Sequence, residues 1–142
     1  MAEDVDDIVR SLQEAVFAGY SQRFKRELFN PRNMGIIENP DSRVRITGVC
    51  GDTIGMSLTL RDERISDIKF TTDGCGATVA CASYVTRTAM GKSIEEALRM
   101  APEDVDRYFE GLPEESKHCA TLAVITLRAV LEQYGSKPDE DG

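Results

Sequence analysis

The chain reads as a single α+β domain, a three-stranded antiparallel sheet packed with about five to six helices. Three observations predict it. Residues 44–70 alternate apolar and polar with period two, broken only by short turn sequences, as an antiparallel meander with one buried face does. Both flanks of that stretch carry helical periodicity instead. The 142 residues, 41% hydrophobic and 30% charged, suffice for one core without disulfide staples.

Taken in order, Val5, Ile8, Val9, Leu12 and Val16 form an apolar stripe that predicts a helix over 4–18, with Glu3, Asp4, Asp6 and Asp7 loading its N-terminal end. This acidic helix is expected to present a solvated face over an ordinary core stripe. Gly19 interrupts it, and a second helix over 21–29 ends at Asn30-Pro31, where proline disfavours its continuation. Residues 32–41 lack periodicity and read as a loop. Val44, Ile46 and Cys50 share one parity; Ile54, Met56, Leu58 and Leu60 alternate cleanly; Ile65, Ile68 and Phe70 follow the tight Asp62-Glu63 connection. Helices are then expected over 77–90, 93–100, 102–109 and 117–134, with a capping box at Ser93/Glu96 and Pro102 at a first helical position. The domain expectation is an N-terminal helix at 1–19, a core domain at 20–135 and a polar tail at 136–142.

Charge and cysteine usage narrow the function. A net charge of −8 with no clustered Lys and Arg argues against nucleic acid. No apolar run approaches a membrane span and no signal-peptide pattern opens the chain, so a cytoplasmic protein is expected. Cys50, Cys75, Cys81 and Cys119 are then reduced thiols, and metal binding or catalysis outranks disulfides. Cys81 falls in an i, i+4 row with Ala77, Val85 and Ala89, the pattern of a packed core position. The other three lie at predicted element ends. Cys50-Gly51-Asp52 marks the first strand turn, Gly74-Cys75-Gly76 precedes the first long helix, and His118-Cys119 opens the last one. Helix N-termini favour thiolate over thiol. Three thiolates with a carboxylate or an imidazole make a ligand set for tetrahedral zinc or an iron–sulfur cluster. A hard carboxylate among soft donors, on loop tips and helix ends, describes a site that holds its metal loosely.

These residues also carry a family resemblance. The ordered run Tyr20, Phe29-Asn30-Pro31-Arg32-Asn33-Met34-Gly35, Cys50-Gly51-Asp52, Phe70-Thr71-Thr72-Asp73-Gly74-Cys75-Gly76, Gly91-Lys92-Ser93 and His118-Cys119 resembles the IscU/NifU-type scaffold proteins of iron–sulfur cluster assembly. The resemblance spans about Tyr20 to Tyr134. It implies a scaffold rather than an enzyme: sulfur is accepted from a cysteine desulfurase, a transient [2Fe-2S] cluster is assembled, and the cluster passes to apo iron–sulfur proteins. It implies Cys50, Asp52, Cys75, His118 and Cys119 as cluster and metal ligands, with Asp52 keeping the cluster labile, Cys119 the candidate persulfide acceptor, and Zn2+ able to occupy the same site. A cluster shared between protomers would give a reason for a homo-oligomer. The alternative reading is a zinc-bound persulfide acceptor that activates a desulfurase; a third is an interaction domain with a structural metal. Two departures count. Leu112-Pro113-Glu114-Glu115-Ser116-Lys117 replaces the Leu-Pro-Pro-Val-Lys sequence read by a dedicated Hsp70-type chaperone, which argues against that partner. The insertion of SufU-type relatives between the second and third site cysteines is absent, which favours the scaffold.

Overall fold

The computed structural model describes residues 5–16 and 18–136. The elements run α1 (Val5–Val16), α2 (Gln22–Phe29), β1 (Ser42–Thr47), β2 (Thr53–Arg61), β3 (Arg64–Thr72), α3 (Gly76–Ala89), α4 (Ile94–Ala97), α5 (Pro102–Tyr108), a 3-10 turn at Glu114–Ser116 and α6 (Lys117–Ser136). The sheet has the order β1-β2-β3 with both pairs antiparallel, as the alternation predicts. The tail from 137 and the acidic residues Glu3 and Asp4 lie outside the described residues.

The sheet's buried face carries Ile54, Met56, Leu58, Ile65, Ile68 and Phe70. Ile65 and Ile68 differ in parity, so a regular strand would send one of them to solvent. A bulge resolves this. Thr59 pairs with Asp67 but Leu60 pairs with Ile65, leaving Ser66 as the extra residue, its hydroxyl donating to the Thr59 carbonyl at 3.0 Å. Asp62 and Glu63 both take positive φ (55° and 64°), the twist-matched two-residue hairpin.

Helices α3 and α6 pack on each other and on this face, α6 against β1 and β2 and α3 against β3, while α2 packs on α3. Cys81 is fully buried among Ala77, Val85 and Ala89, the core position its spacing predicts. Phe24 of α2 closes one side, edge-on to Phe109 at 5.4 Å. Ser21 caps α2 and the Ser93/Glu96 capping box caps α4. Two expectations are corrected. The helix over 93–100 stops at Ala97: Arg99 and Met100 bond back three residues, to the Glu96 and Ala97 carbonyls, and Ala101 is extended ahead of Pro102, where the chain restarts as α5. The apolar stripe of α1 is not a core stripe: Val5, Ile8, Val9 and Leu12 are all exposed, by 43–69%. The core cluster is built from α2, α3, α4, α5, α6 and the sheet, and none of these four α1 residues belongs to it.

Candidate metal centre

Three segments distant in sequence meet at one end of the sheet. The β1–β2 loop bends through Gly51, whose φ of +93° a side chain would strain, and is held by Gly48 N–H to the Asp52 carbonyl at 2.8 Å. Cys50 sits exposed on its tip, after β1 has ended rather than within it. Cys75 is the N-cap residue of α3, exposed and extended. Cys119 lies in the first turn of α6 and is 1% exposed; His118 beside it is half-buried.

The donor atoms converge as two overlapping groups. Ligand atoms of Cys50, Asp52 and His118 lie within 4.8 Å of one another, and so do those of Asp52, Cys75 and Cys119. All five residues singled out by the sequence are therefore brought together, with Asp52 common to both groups. His118 Nε2 is 3.6 Å from Cys119 Sγ.

Thr78, which sequence reasoning passed over, and Gly74, noted there only as flanking a thiol, build the site. Thr78 is fully buried, and its hydroxyl stands 2.9 Å from Asp52 Oδ2, 3.3 Å from Cys119 Sγ and 3.6 Å from Cys75 Sγ. One hydroxyl proton serves one acceptor at a time, and the shorter, charge-assisted bond to Asp52 is the better of them. Gly74 supplies the room. A Cβ there would fall 2.8 Å from the Thr78 Cβ and 2.9 Å from Asp52 Oδ2, so only glycine lets the start of α3 approach the β1–β2 loop this closely. The available signal was positional: Thr78 is the third helical residue after an N-cap thiol, where a hydroxyl can turn back to the helix entrance.

The thiols are electrostatically unlike. Burial works against the Cys75 thiolate, yet the backbone N–H and hydroxyl of Thr78 and the N–H of Ala77 outweigh it, leaving the thiol below its ordinary value. Burial is the main influence that pushes the Cys119 thiol up to about 12; the Thr78 hydroxyl pulls it down, and the neighbouring Cys75 and Cys50 raise it. The helix-end stabilisation expected at Cys119 is thus overridden by desolvation in the metal-free protein and is found at Cys75 instead. Cys81, below the site, is raised well above its ordinary value, by burial first and then by Cys119 and Cys75.

Three thiols, a carboxylate and an imidazole at the end of a small α+β domain define a protein able to hold a thiophilic metal. Comparison with known proteins carries this further. Residues 19–141 match the family model of the NifU-like N-terminal domain, and the chain belongs to this IscU/NifU family. It is 40% identical over 119 residues to two iron–sulfur cluster assembly scaffold proteins IscU of Archaeoglobus fulgidus, covering 83% of this chain and 78% of each relative. It is 36% identical over 123 residues to the Escherichia coli protein of that name, covering 83% and 95%. Among solved structures, a NifU-like N-terminal protein from Brucella abortus superposes with a TM-score of 0.70 at 21% identity, covering 83% of this chain and 95% of that one, which shows the shared fold.

Proposed function

We propose that this chain is a scaffold on which a labile [2Fe-2S] cluster is built and from which it is handed to apo-proteins, a carrier and not an enzyme. The observation that carries the reading is the pair of overlapping donor groups sharing Asp52. Two irons bridged by sulfide take two protein ligands each, and two donor groups meeting at Asp52 can supply such pairs with a fifth donor left over for exchange. Membership of a family whose curated relatives are named scaffolds supports it. No described helix is long and apolar enough to cross a membrane, which accords with a cytoplasmic carrier.

Sulfur comes from a cysteine desulfurase. A scaffold thiolate attacks the outer sulfur of the donor persulfide; its S–S bond breaks and the donor cysteine leaves as thiolate. Cys75 is open to such an attack in the metal-free protein, whereas Cys119, the acceptor named by the resemblance, first requires the buried first turn of α6 to open. Two electrons from a reductant convert the sulfane sulfur to sulfide. Cys50, Cys75 and Cys119 hold the cluster, and Asp52 or His118 completes it as an exchangeable ligand.

Anaerobic reconstitution with ferrous iron, cysteine, dithiothreitol and a cysteine desulfurase tests the reading. Sulfur-to-iron charge-transfer bands with about two irons per site, lost in Cys50→Ala, Cys75→Ala or Cys119→Ala, are expected. Tightly held zinc, with no such bands and with stimulation of the desulfurase, would replace it by the zinc-bound sulfur-acceptor reading.

A further inference from the structure

Seven of this acidic chain's 17 lysines and arginines line one region, away from the thiols. Two adjoining cavities, of about 460 and 830 Å3, share Tyr108 as a wall and lie among α2, α3, α4 and α5. Seven cationic side chains line them against three carboxylates, in a chain whose net charge is −8. The carboxylates are already committed: Glu27 to Arg87 at 2.8 Å, Asp104 to Arg107 at 3.0 Å, and Glu96 to Arg64 at 3.3 Å. Arg26, Arg32, Lys92 and Arg99 have no carboxylate partner among the described residues, and the three arginines are exposed.

The floor between the cavities is rigid. Tyr84 and Tyr108 stack at 4.1 Å; the Arg23 guanidinium lies 5.0 Å from the Tyr108 ring centre, and Arg87 donates to the Tyr108 hydroxyl at 3.2 Å. Buried Glu27 accepts from Ser83 at 2.6 Å and from Arg87, which ties α2 to α3. Free guanidinium forks around a fixed aromatic floor, with the three lining carboxylates already paired, are arranged to receive carboxylates.

We infer that this face docks a short acidic stretch on the surface of a partner protein, through Arg26, Arg32, Lys92 and Arg99 around the Tyr84/Tyr108 stack. The cations are spread along two open cavities rather than converging on one point, which fits a row of carboxylates better than a single phosphate. A long polyanion such as nucleic acid would overrun the face and meet the acidic remainder of the chain, whereas a short acidic strip would not. Twelve residues of α3 separate Cys75 from Arg87, about 18 Å of helix axis. A partner seated here therefore leaves the thiols open, so docking and metal occupancy are compatible.

The test is fluorescence anisotropy of the full chain with a fluorescein-labelled peptide of alternating Glu and Gly, at about 50 mM salt where surface charge is weakly screened. Binding is expected to weaken with added salt, to fall at least about tenfold in an Arg26→Glu/Arg32→Glu variant and in Arg99→Glu, and to be unaffected by zinc. An Arg43→Glu/Arg45→Glu variant, which reverses two exposed cations on β1, is expected to bind as the parent does. Failure of the parent to bind the peptide, or equal loss in the β1 variant, overturns the proposal. Tighter binding of a single-stranded oligonucleotide or of inorganic tripolyphosphate than of the peptide overturns the assignment to an acidic protein. Because the readout needs no cluster, its failure is separable from failure of the scaffold reading.

Discussion

The Thr78 hydroxyl lies 2.9 Å from Asp52 Oδ2 and 3.3 Å from Cys119 Sγ, so one buried side chain of α3 joins the β1–β2 loop to the first turn of α6. The donor groups are thereby drawn together before any metal arrives. Thr78→Val keeps the shape and removes the proton. It is expected to lower stability by about 1–2 kcal/mol, because the half-buried Asp52 carboxylate loses its donor. Thr78→Ser should restore most of it. Urea denaturation of the metal-free protein measures both, and a Val variant as stable as the parent would show that this bond contributes nothing.

Burial at Cys119 has a pH consequence. Its folded-state thiol titrates at about 12, against an ordinary value of 9.0. Between those values the unfolded chain has released this proton and the folded one retains it, so folding stability falls as pH rises. The slope from this group is about 1.4 kcal/mol per pH unit, beginning near pH 9. Cys119→Ala should lack that component in denaturation curves of the metal-free protein. At pH 8 the same burial should make alkylation by iodoacetamide at least about tenfold slower at Cys119 than at exposed Cys75, with peptide mapping as the readout. Comparable rates would mean that the α6 entrance opens readily.

Asp52 belongs to both candidate groups and brings the hard oxygen donor to a set otherwise of sulfur and nitrogen. Asp52→Ala is expected to retain a reconstituted cluster longer and to slow its transfer to an apo-acceptor severalfold, because the hard, exchangeable ligand is removed from among soft ones. Loss of the charge-transfer bands is timed against appearance of the acceptor's own. Transfer as fast as the parent's would remove Asp52 from the release step.

Gly74 and Cys81 should behave oppositely. Gly74→Ala places a methyl group 2.8 Å from the Thr78 Cβ, against side-chain atoms near the backbone that have little freedom to retreat. It should push α3 away from the β1–β2 loop and weaken cobalt binding at least about tenfold, the scale on which misplaced ligands cost affinity. Cys81→Ala removes one buried sulfur from the core and should cost about 1 kcal/mol while leaving cobalt binding and its thiolate charge-transfer bands unchanged. A cobalt titration followed by visible absorption compares the two, and weakened binding in Cys81→Ala would bring that thiol into the site.

The meander, its turns, the helix starts at Ser21, Ser93 and Pro102 and the core position of Cys81 were legible because each depends on residues close together in the chain. The third strand was expected as a plain continuation of the meander; the bulge at Ser66, which puts both Ile65 and Ile68 on the buried face, is settled by pairing with β2. The α1 stripe misled because amphipathicity states that a helix has an apolar face and not what covers it. The fate of such a face depends on whether the rest of the core leaves room for it.

The sequence by itself determined the α+β class, since strand periodicity and helix starts are written in local order, and its ordered motifs singled out five candidate ligands, Cys50, Asp52, Cys75, His118 and Cys119. Only the tertiary structure decided how those donors divide into two groups around Asp52, that Thr78 and Gly74 hold them there, and that burial suppresses ionisation at Cys119 while α3 favours it at Cys75. The physical reason is one of range. Backbone propensity acts over a few residues, whereas desolvation and hydrogen bonding across 26 and 41 residues of separation exist only once the chain has folded.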